Sequence, residues 1–261
     1  MDNRGEGLFR LHAFLKGLSG QAITRRQNGG GERMRKRHMW LMQVYNDPNA
    51  APEKPPIFRK GFPAVILLLT GAIIAVTLVQ FNASRQVQDW MFATAAVAGG
   101  PGFENVYRPW GAFAPYVLHT FLHGGSFHLM MNMAMLIALG PIVAKDLGNS
   151  TKGAFLFLAF FALCAAGGAL AQVAWYAIEA QDGIAIGASS AISGLLPAVG
   201  YSRGGLKGAW SISVPWILIN VVLAFLGGDV GVMQIAWAAH LGGLAAGFAF
   251  PLFTHLAKPV H

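Results

Sequence analysis

The sequence predicts an all-α membrane protein built from six transmembrane helices. Three observations predict it. Hydrophobic residues make up 54% of the 261 positions and charged residues only 11%, against roughly 25% charged in an ordinary soluble domain. The apolar residues gather into six stretches, near 62–82, 126–144, 153–178, 183–202, 211–228 and 233–256, and a bilayer span takes about 20 such residues. The basic residues of the connections fall mainly on alternate ones, as in a chain threaded back and forth through a membrane.

Taken in order, residues 1–61 form a basic tail. Residues 1–60 hold 12 Lys and Arg against 5 Asp and Glu, while the remaining chain holds 7 against 6. Such a tail beside a near-neutral apolar body suits a cytoplasmic extension near anionic lipid rather than a nucleic-acid-binding domain. Within it "RRQNGGGERMRKRH" (25–38) reads as disordered, and the preceding "GLFRLHAFLKGL" as a short interfacial amphipathic helix. The first long apolar run begins only near residue 62, so no signal peptide is expected. Residues 62–256 would then form the six-helix domain, and 257–261 a short cytoplasmic tail.

The segment between the first two spans, about 83–125, is long and carries Trp90, Phe103, Trp110, Phe113 and Tyr116. Aromatic side chains favour the membrane–water interface, so this loop is expected to lie partly embedded on the outer face. The fourth stretch is interrupted by Gly194 and Pro197, and the fifth is short for a span. Breaks of this kind are tolerated where neighbouring helices satisfy the backbone. The single cysteine, Cys164, excludes a disulfide framework or a cysteine-based metal site within one chain and reads as a core residue.

With the N-terminus inside, the inner connections and C-terminal tail carry Lys145, Lys152, Arg203, Lys207 and Lys258, whereas the outer ones carry only Arg85 and Arg108. Counting basic residues alone, this places both termini on the cytoplasmic side. A basic tail without a signal peptide suits a bacterial plasma membrane. A mitochondrial inner membrane is the alternative, although the acidic Asp2 and Glu6 do not resemble a transit peptide.

The interiors of the six stretches hold no Asp, Glu, Lys or Arg; their ionisable side chains are His128, His240 and His255. "HTFLHGGSFHLMMN" adds His119 and His123 just upstream and closes with Asn132. Polar groups at membrane depth are costly and by default mark function, although His and Asn also bridge helices structurally. His128 and Asn132 are four apart and share a helix face. In "AHLGGLAAG", His240, Gly243 and Gly247 share another, and Gly243 with Gly247 forms a GxxxG that admits a second backbone. The stretch "GASSAISG" (187–194) sets Ser189, Ser190 and Ser193 among small residues, as packing positions or with one of them as nucleophile.

Depth favours the nucleophile. Asn132, Ser189 and His240 each fall about six or seven residues past the outer start of their stretch, roughly 10 Å down at 1.5 Å per residue. Three helices thus carry polar groups at one level. Serine is a weak nucleophile until a base takes its proton, and neutral histidine suits that task. His240 is the candidate base for Ser189, in a dyad, since no carboxylate lies at that depth to orient the imidazole. The oxyanion that follows attack needs donors already in place. Asn132, His128 and the Ser189 backbone N–H at a helix N-terminus can supply them.

Other chemistries fit less well. The soluble hydrolase motif G-x-S-x-G fails, because residue 191 is Ala. A metal or haem site built on His119, His123, His128 and His240 would leave Ser189 and Asn132 unexplained. A proton-coupled transporter would call for an intramembrane carboxylate.

Together, His123-x4-His128-x3-Asn132, Gly187-x-Ser189 and Ala239-His240-x2-Gly243-x3-Gly247, in this order, resemble the rhomboid intramembrane serine proteases over about residues 62–250. The resemblance implies a six-helix rhomboid-like bundle that cuts transmembrane protein substrates near their outer end through an acyl-enzyme, without cofactor or metal. It implies Ser189 as nucleophile, His240 as base, and His128 and Asn132 as oxyanion donors. His123 would organise the loop after the first span, Gly187 would permit the tight entry to the fourth, and Gly243 and Gly247 would support close packing. Expected substrates are single-span proteins whose helices unwind readily at Gly, Pro or Ala.

Three departures from that pattern stand out. Ser190 follows the nucleophile where Gly is usual. Ala114-Pro115 replaces a Trp-Arg pair, which puts the stability of the loop in question. Ser193 replaces an aromatic that packs on the catalytic histidine, so support for His240 must come from elsewhere. The alternative is a catalytically silent rhomboid-like protein that binds transmembrane helices for membrane protein quality control. The expected partners are substrates and the lipid bilayer, with no nucleic acid; oligomeric state has no sequence signature here.

Overall fold

The fold is given by a computed structural model that describes residues 61–226, 229–230 and 233–258. The basic tail lies outside this range but for Gly61, and of residues 257–261 only Ala257 and Lys258 fall inside it. Helix α1 spans Ala64–Asn82 and α2 Arg85–Ala95; strand β1 (Val97–Gly99) and a 3-10 turn at Pro101–Phe103 follow. Next come α3 (Pro115–Leu118), a second 3-10 turn at His119–Phe121, α4 (Ser126–Leu147), α5 (Thr151–Glu179) and β2 (Gly183–Ala185). Helix α6 spans Ser189–Phe225, strands β3 (Asp229–Val230) and β4 (Met233–Gln234) pair, and α7 (Trp237–Gly247) and α8 (Phe250–Ala257) close the chain.

Four helices, α1, α4, α5 and α6, are long and apolar enough to cross a membrane. The expected fourth and fifth stretches join directly within α6 as two helical segments that fold back on each other, so that Gly200 packs against Gly208 and Trp216 Nε1 lies 3.1 Å from Ser193 Oγ. Two glycines break its regularity, Gly204 at φ −158° and Gly205 at φ +59°, ψ −148°, the second a conformation that side chains disfavour. The helix continues through Pro197 and Pro215. The expected sixth stretch is likewise divided, into α7 and α8, at Phe248 and Ala249.

The fourth stretch also begins differently from expectation. Its first residues pair as a strand, with Val97, Ala98 and Gly99 of β1 opposite Ala185, Ile184 and Gly183 of β2, antiparallel. This ladder ties the long segment between α1 and α4 to the chain just before α6. The loop has further fastenings. Arg108 donates to the carbonyls of Ala93 and Ala96 at the end of α2, 3.0 Å each, and Trp90 meets Trp110 edge-on at 5.7 Å. Ala114-Pro115 therefore does not leave the loop unsupported.

Ile66 and Ile73 of α1, Leu136 and Val143 of α4, Phe157 and Phe160 of α5, Leu195 of α6 and Phe250 of α8 share one fully buried cluster. The Asp146 carboxylate at the end of α4 accepts the Ser202 hydroxyl of α6. Ser150 caps α5 by accepting from Gly153 N–H at 3.1 Å. The tightest packing lies between α6 and α7. A Cβ at Gly243 would overlap the Ser190 carbonyl oxygen, and one at Gly247 would come within 2.7 Å of both Gly194 Cα and Pro197 Cγ. In turn, a Cβ at Gly194 would lie 2.8 Å from the Gly243 carbonyl oxygen and 2.6 Å from Cys164 Cβ on α5. Here the helices touch backbone to backbone.

Overpacking typically costs about 1–3 kcal/mol, and a carbonyl cannot turn aside as a side chain does. Gly243→Val is therefore expected to destabilise the protein by at least that much, and Gly71→Val, where an added Cβ meets nothing within 4 Å, by much less. Unfolding of the two variants in the same detergent tests the comparison.

Candidate active site

The turn into α6 sets the first side chain. Gly187 has φ +117°, and its N–H donates to the His119 carbonyl at 2.8 Å. A Cβ there would lie 2.6 Å from His128 Cε1 and 2.8 Å from Nε2. Glycine is thus required twice, by the backbone angle and by the imidazole lying against it. Ser189 then opens the helix, where first-turn backbone N–H groups have no intrahelical acceptor.

Ser189 Oγ lies 3.0 Å from His240 Nε2. The far side of the same ring is held as well, with Nδ1 2.9 Å from Asn220 Oδ1. Asn220 Nδ2 donates to the Trp216 carbonyl at 2.8 Å, so its oxygen is the atom turned to the imidazole. The orientation fixes the tautomer. Nδ1–H donates to Asn220, which leaves Nε2 as the acceptor for the Ser189 hydroxyl. Trp216 also lies over the ring, centroids 5.6 Å apart and planes inclined by 36°. Its indole N–H donates to Ser193 Oγ at 3.1 Å, and Ser193 donates to the Ser189 carbonyl at 2.8 Å. Support for His240 thus comes from α6, and Ser193 helps to hold the tryptophan that provides it.

His128 and Asn132 come from α4. Gly124 N–H reaches His128 Nδ1 over a long 3.4 Å, which assigns the ring proton to Nε2. One Asn132 Nδ2 hydrogen is engaged by the His128 carbonyl at 3.0 Å, and the other is available. Ser189, His240, His128, Asn132 and Trp216 line one cavity of about 470 Å³. Gln172 of α5, also on the cavity wall, accepts from Ala239 N–H at 3.1 Å and steadies the start of α7.

His123 does not line this cavity but stands behind His128, ring centroids 5.1 Å apart, fully buried against α1. Thr77 Oγ1 donates to the Phe121 carbonyl at 3.1 Å and accepts from His123 Nδ1 at 3.0 Å. Gln80 brackets the same residue, accepting from its N–H at 3.0 Å and donating to its carbonyl at 2.8 Å. Ser190 turns away as well. Its hydroxyl donates to His119 Nε2 at 2.9 Å, and His119 Nδ1 donates to the Pro115 carbonyl at 2.8 Å. The extra hydroxyl at 190 therefore joins the helix to the loop and does not crowd Ser189. Among the described residues no three His, Cys, Asp or Glu gather as metal ligands, and His119, His123, His128 and His240 each have a ring nitrogen engaged by protein.

Sequence reasoning missed Asn220 and Trp216. Asn220 is the only amide in the fifth apolar stretch, and Trp216 stands one turn before it. Neither lies in a motif that would single it out before the fold brings it to His240.

Fold and site together describe a membrane-embedded helical protein with an aligned serine–histidine pair facing a cavity. Residues 108–257, more than half of the chain, match the model of the rhomboid domain. The chain belongs to the rhomboid family. It is 30% identical over 148 residues to RHOMBOID-like protein 4 of Arabidopsis thaliana, covering 54% of this chain and 33% of that protein. RHOMBOID-like protein 5 and RHOMBOID-like protein 1 of the same plant are each 30% identical over 142 residues, covering 53% of this chain and 42% and 33% of theirs. The chain thus spans less than half the length of these relatives. Being plant proteins, they lend no support to the bacterial membrane expected from the sequence.

Burial pushes His119 down to about 4, from an ordinary value of 6.5. The unfolded chain therefore takes up a proton between those values that the folded protein does not, so stability falls as pH drops through that window and levels off above it. His119→Gln is expected to flatten this segment of the stability profile. Denaturation in detergent at pH 4.5 and 7.5, for both proteins, checks it.

Proposed function

We propose that this chain is an intramembrane serine endopeptidase that cleaves transmembrane segments of other membrane proteins. The observation that carries the proposal is the Ser189 Oγ to His240 Nε2 contact of 3.0 Å, inside a cavity shared with His128 and Asn132. Substrate enters as a peptide carbonyl placed over Ser189. The Ser189 proton passes to His240 Nε2 as Oγ bonds to the carbonyl carbon. The oxyanion is met by the Ser189 backbone N–H, His128 Nε2–H and the free Asn132 Nδ2–H. His240 returns its proton to the departing amide nitrogen, the C–N bond breaks, and an acyl-enzyme on Ser189 remains. Water attacks the ester with His240 again as base, giving the acid product and free Ser189.

The same proposal assigns six spans. They are α1, α4, α5, the two halves of α6 about Gly204 and Gly205, and α7 continued by α8. The halves of α6 fold back on each other, with Trp216 Nε1 3.1 Å from Ser193 Oγ, where an unbroken helix would hold the two about 35 Å apart, which supports two passes. With both termini cytoplasmic, Ser189, His240 and Asn132 lie toward the outer face, and residues 83–125 form the partly embedded outer loop. His123 then serves as that loop's anchor, and the α6–α7 glycines as the contact that brings base to nucleophile.

Ser189→Ala is expected to abolish cleavage of a fluorescent transmembrane substrate in micelles, a loss of at least about 10⁴-fold, and to prevent labelling by a fluorophosphonate. Gly187→Ala, which drives a methyl into His128, is expected to lower the cleavage rate more than tenfold with the protein still folded. A wild type that binds transmembrane helices yet neither cuts several of them nor takes the label would instead be the silent helix-binding relative.

A further inference from the structure

The proposed reaction asks two things of His240: that Nε2 be unprotonated at the moment of attack, and that the ring stay aimed at Ser189. Neither follows from the dyad. A neutral imidazole carries its one proton on either nitrogen, and a ring held by a single hydrogen bond can turn about its side-chain bonds. In hydrolases a third group commonly settles both matters, by accepting from the nitrogen opposite the nucleophile.

We infer that Asn220 is the positioning residue that fixes the tautomer and aim of His240, making the site a Ser189–His240–Asn220 hydrogen-bonded chain supplied partly by the second half of α6. This rests on the serine protease reading. Asn220 is fully buried, and its Oδ1 stands 2.9 Å from His240 Nδ1. Its amide is not free to flip, because Nδ2 is engaged by the Trp216 carbonyl one helical turn back at 2.8 Å. A flipped amide would lose that bond and turn an N–H toward the Nδ1 proton. Trp216 completes the clamp. The residue whose carbonyl orients Asn220 also lays its indole over the His240 ring at 5.6 Å, and Ser193 accepts the indole N–H at 3.1 Å. The aromatic support expected one turn past the nucleophile is thus supplied from the other half of the helix, together with an amide acceptor.

Asn220 touches no reacting atom, so its removal leaves substrate binding intact and slows the chemistry. Asn220→Leu keeps the volume and removes the acceptor. It is expected to lower kcat roughly tenfold to a hundredfold with KM within about threefold, and to slow fluorophosphonate labelling of Ser189 by the same factor. Asn220→Asp keeps an oxygen opposite Nδ1 and is expected to retain kcat and labelling within about fivefold of wild type. Should Asn220→Leu not fold, Asn220→Ala is judged by the same rates. Labelling at the wild-type rate in a folded Leu or Ala variant, or equal losses in the Leu and Asp variants, overturns the inference while leaving the protease standing. A wild type that neither cleaves nor labels overturns both.

Discussion

The site depends on one contact, the meeting of the α7 backbone with that of α6 where Gly243 faces the Ser190 carbonyl and Gly247 faces Gly194. Between helices surrounded by lipid there is little hydrophobic drive to associate, so closeness of fit and polar bonds must hold them together. A side chain at either glycine would part the helices. His240 stands one turn before Gly243 and Ser189 immediately before Ser190. The distance between imidazole and hydroxyl is therefore set by the helices' approach more than by either side chain. The same contact brings α5 in through Cys164, and Gln172 receives the first turn of α7.

Around that contact the polar groups form a closed circuit in an apolar setting. Ser193 bonds the Ser189 carbonyl and receives the Trp216 indole; Asn220 bonds the Trp216 carbonyl and receives His240; His240 receives the Ser189 hydroxyl. Buried polar groups are costly when unpaired, so a change at one member is felt by the others. This gives Ser193 a purpose. A small hydroxyl there leaves room for an indole delivered from elsewhere, and it anchors that indole.

Much of this was legible from local pattern. The apolar stretches located α1, α4 and α5 within a few residues, and the spacing of His240, Gly243 and Gly247 announced a smooth face with a polar tip. The signals failed where the partner is distant. Gly183-Ile184-Ala185 is apolar enough to read as the beginning of a helix, and only its pairing with Val97–Gly99, far back in the chain, makes it a strand. Asn220 looks like an incidental amide among Val and Ile until α7 supplies the imidazole. Ser190 reads in sequence only as a neighbour of Ser189, whereas its partner, His119, comes from the loop. Ser202 and Asp146 likewise meet only through the fold.

The Ser190–His119 pair has a consequence of its own. Two serines adjacent in sequence each give their proton to the Nε2 of a histidine, and in both histidines Nδ1–H donates to an amide-type oxygen. By residue type, distance and tautomer the pairs are near twins. They differ in surroundings: one opens on a cavity with donors across from it, and the other is sealed between helix and loop. Reactivity at this turn is therefore a question of access, and the molecule carries beside its candidate nucleophile an internal control for what the same chemistry amounts to when nothing can reach it.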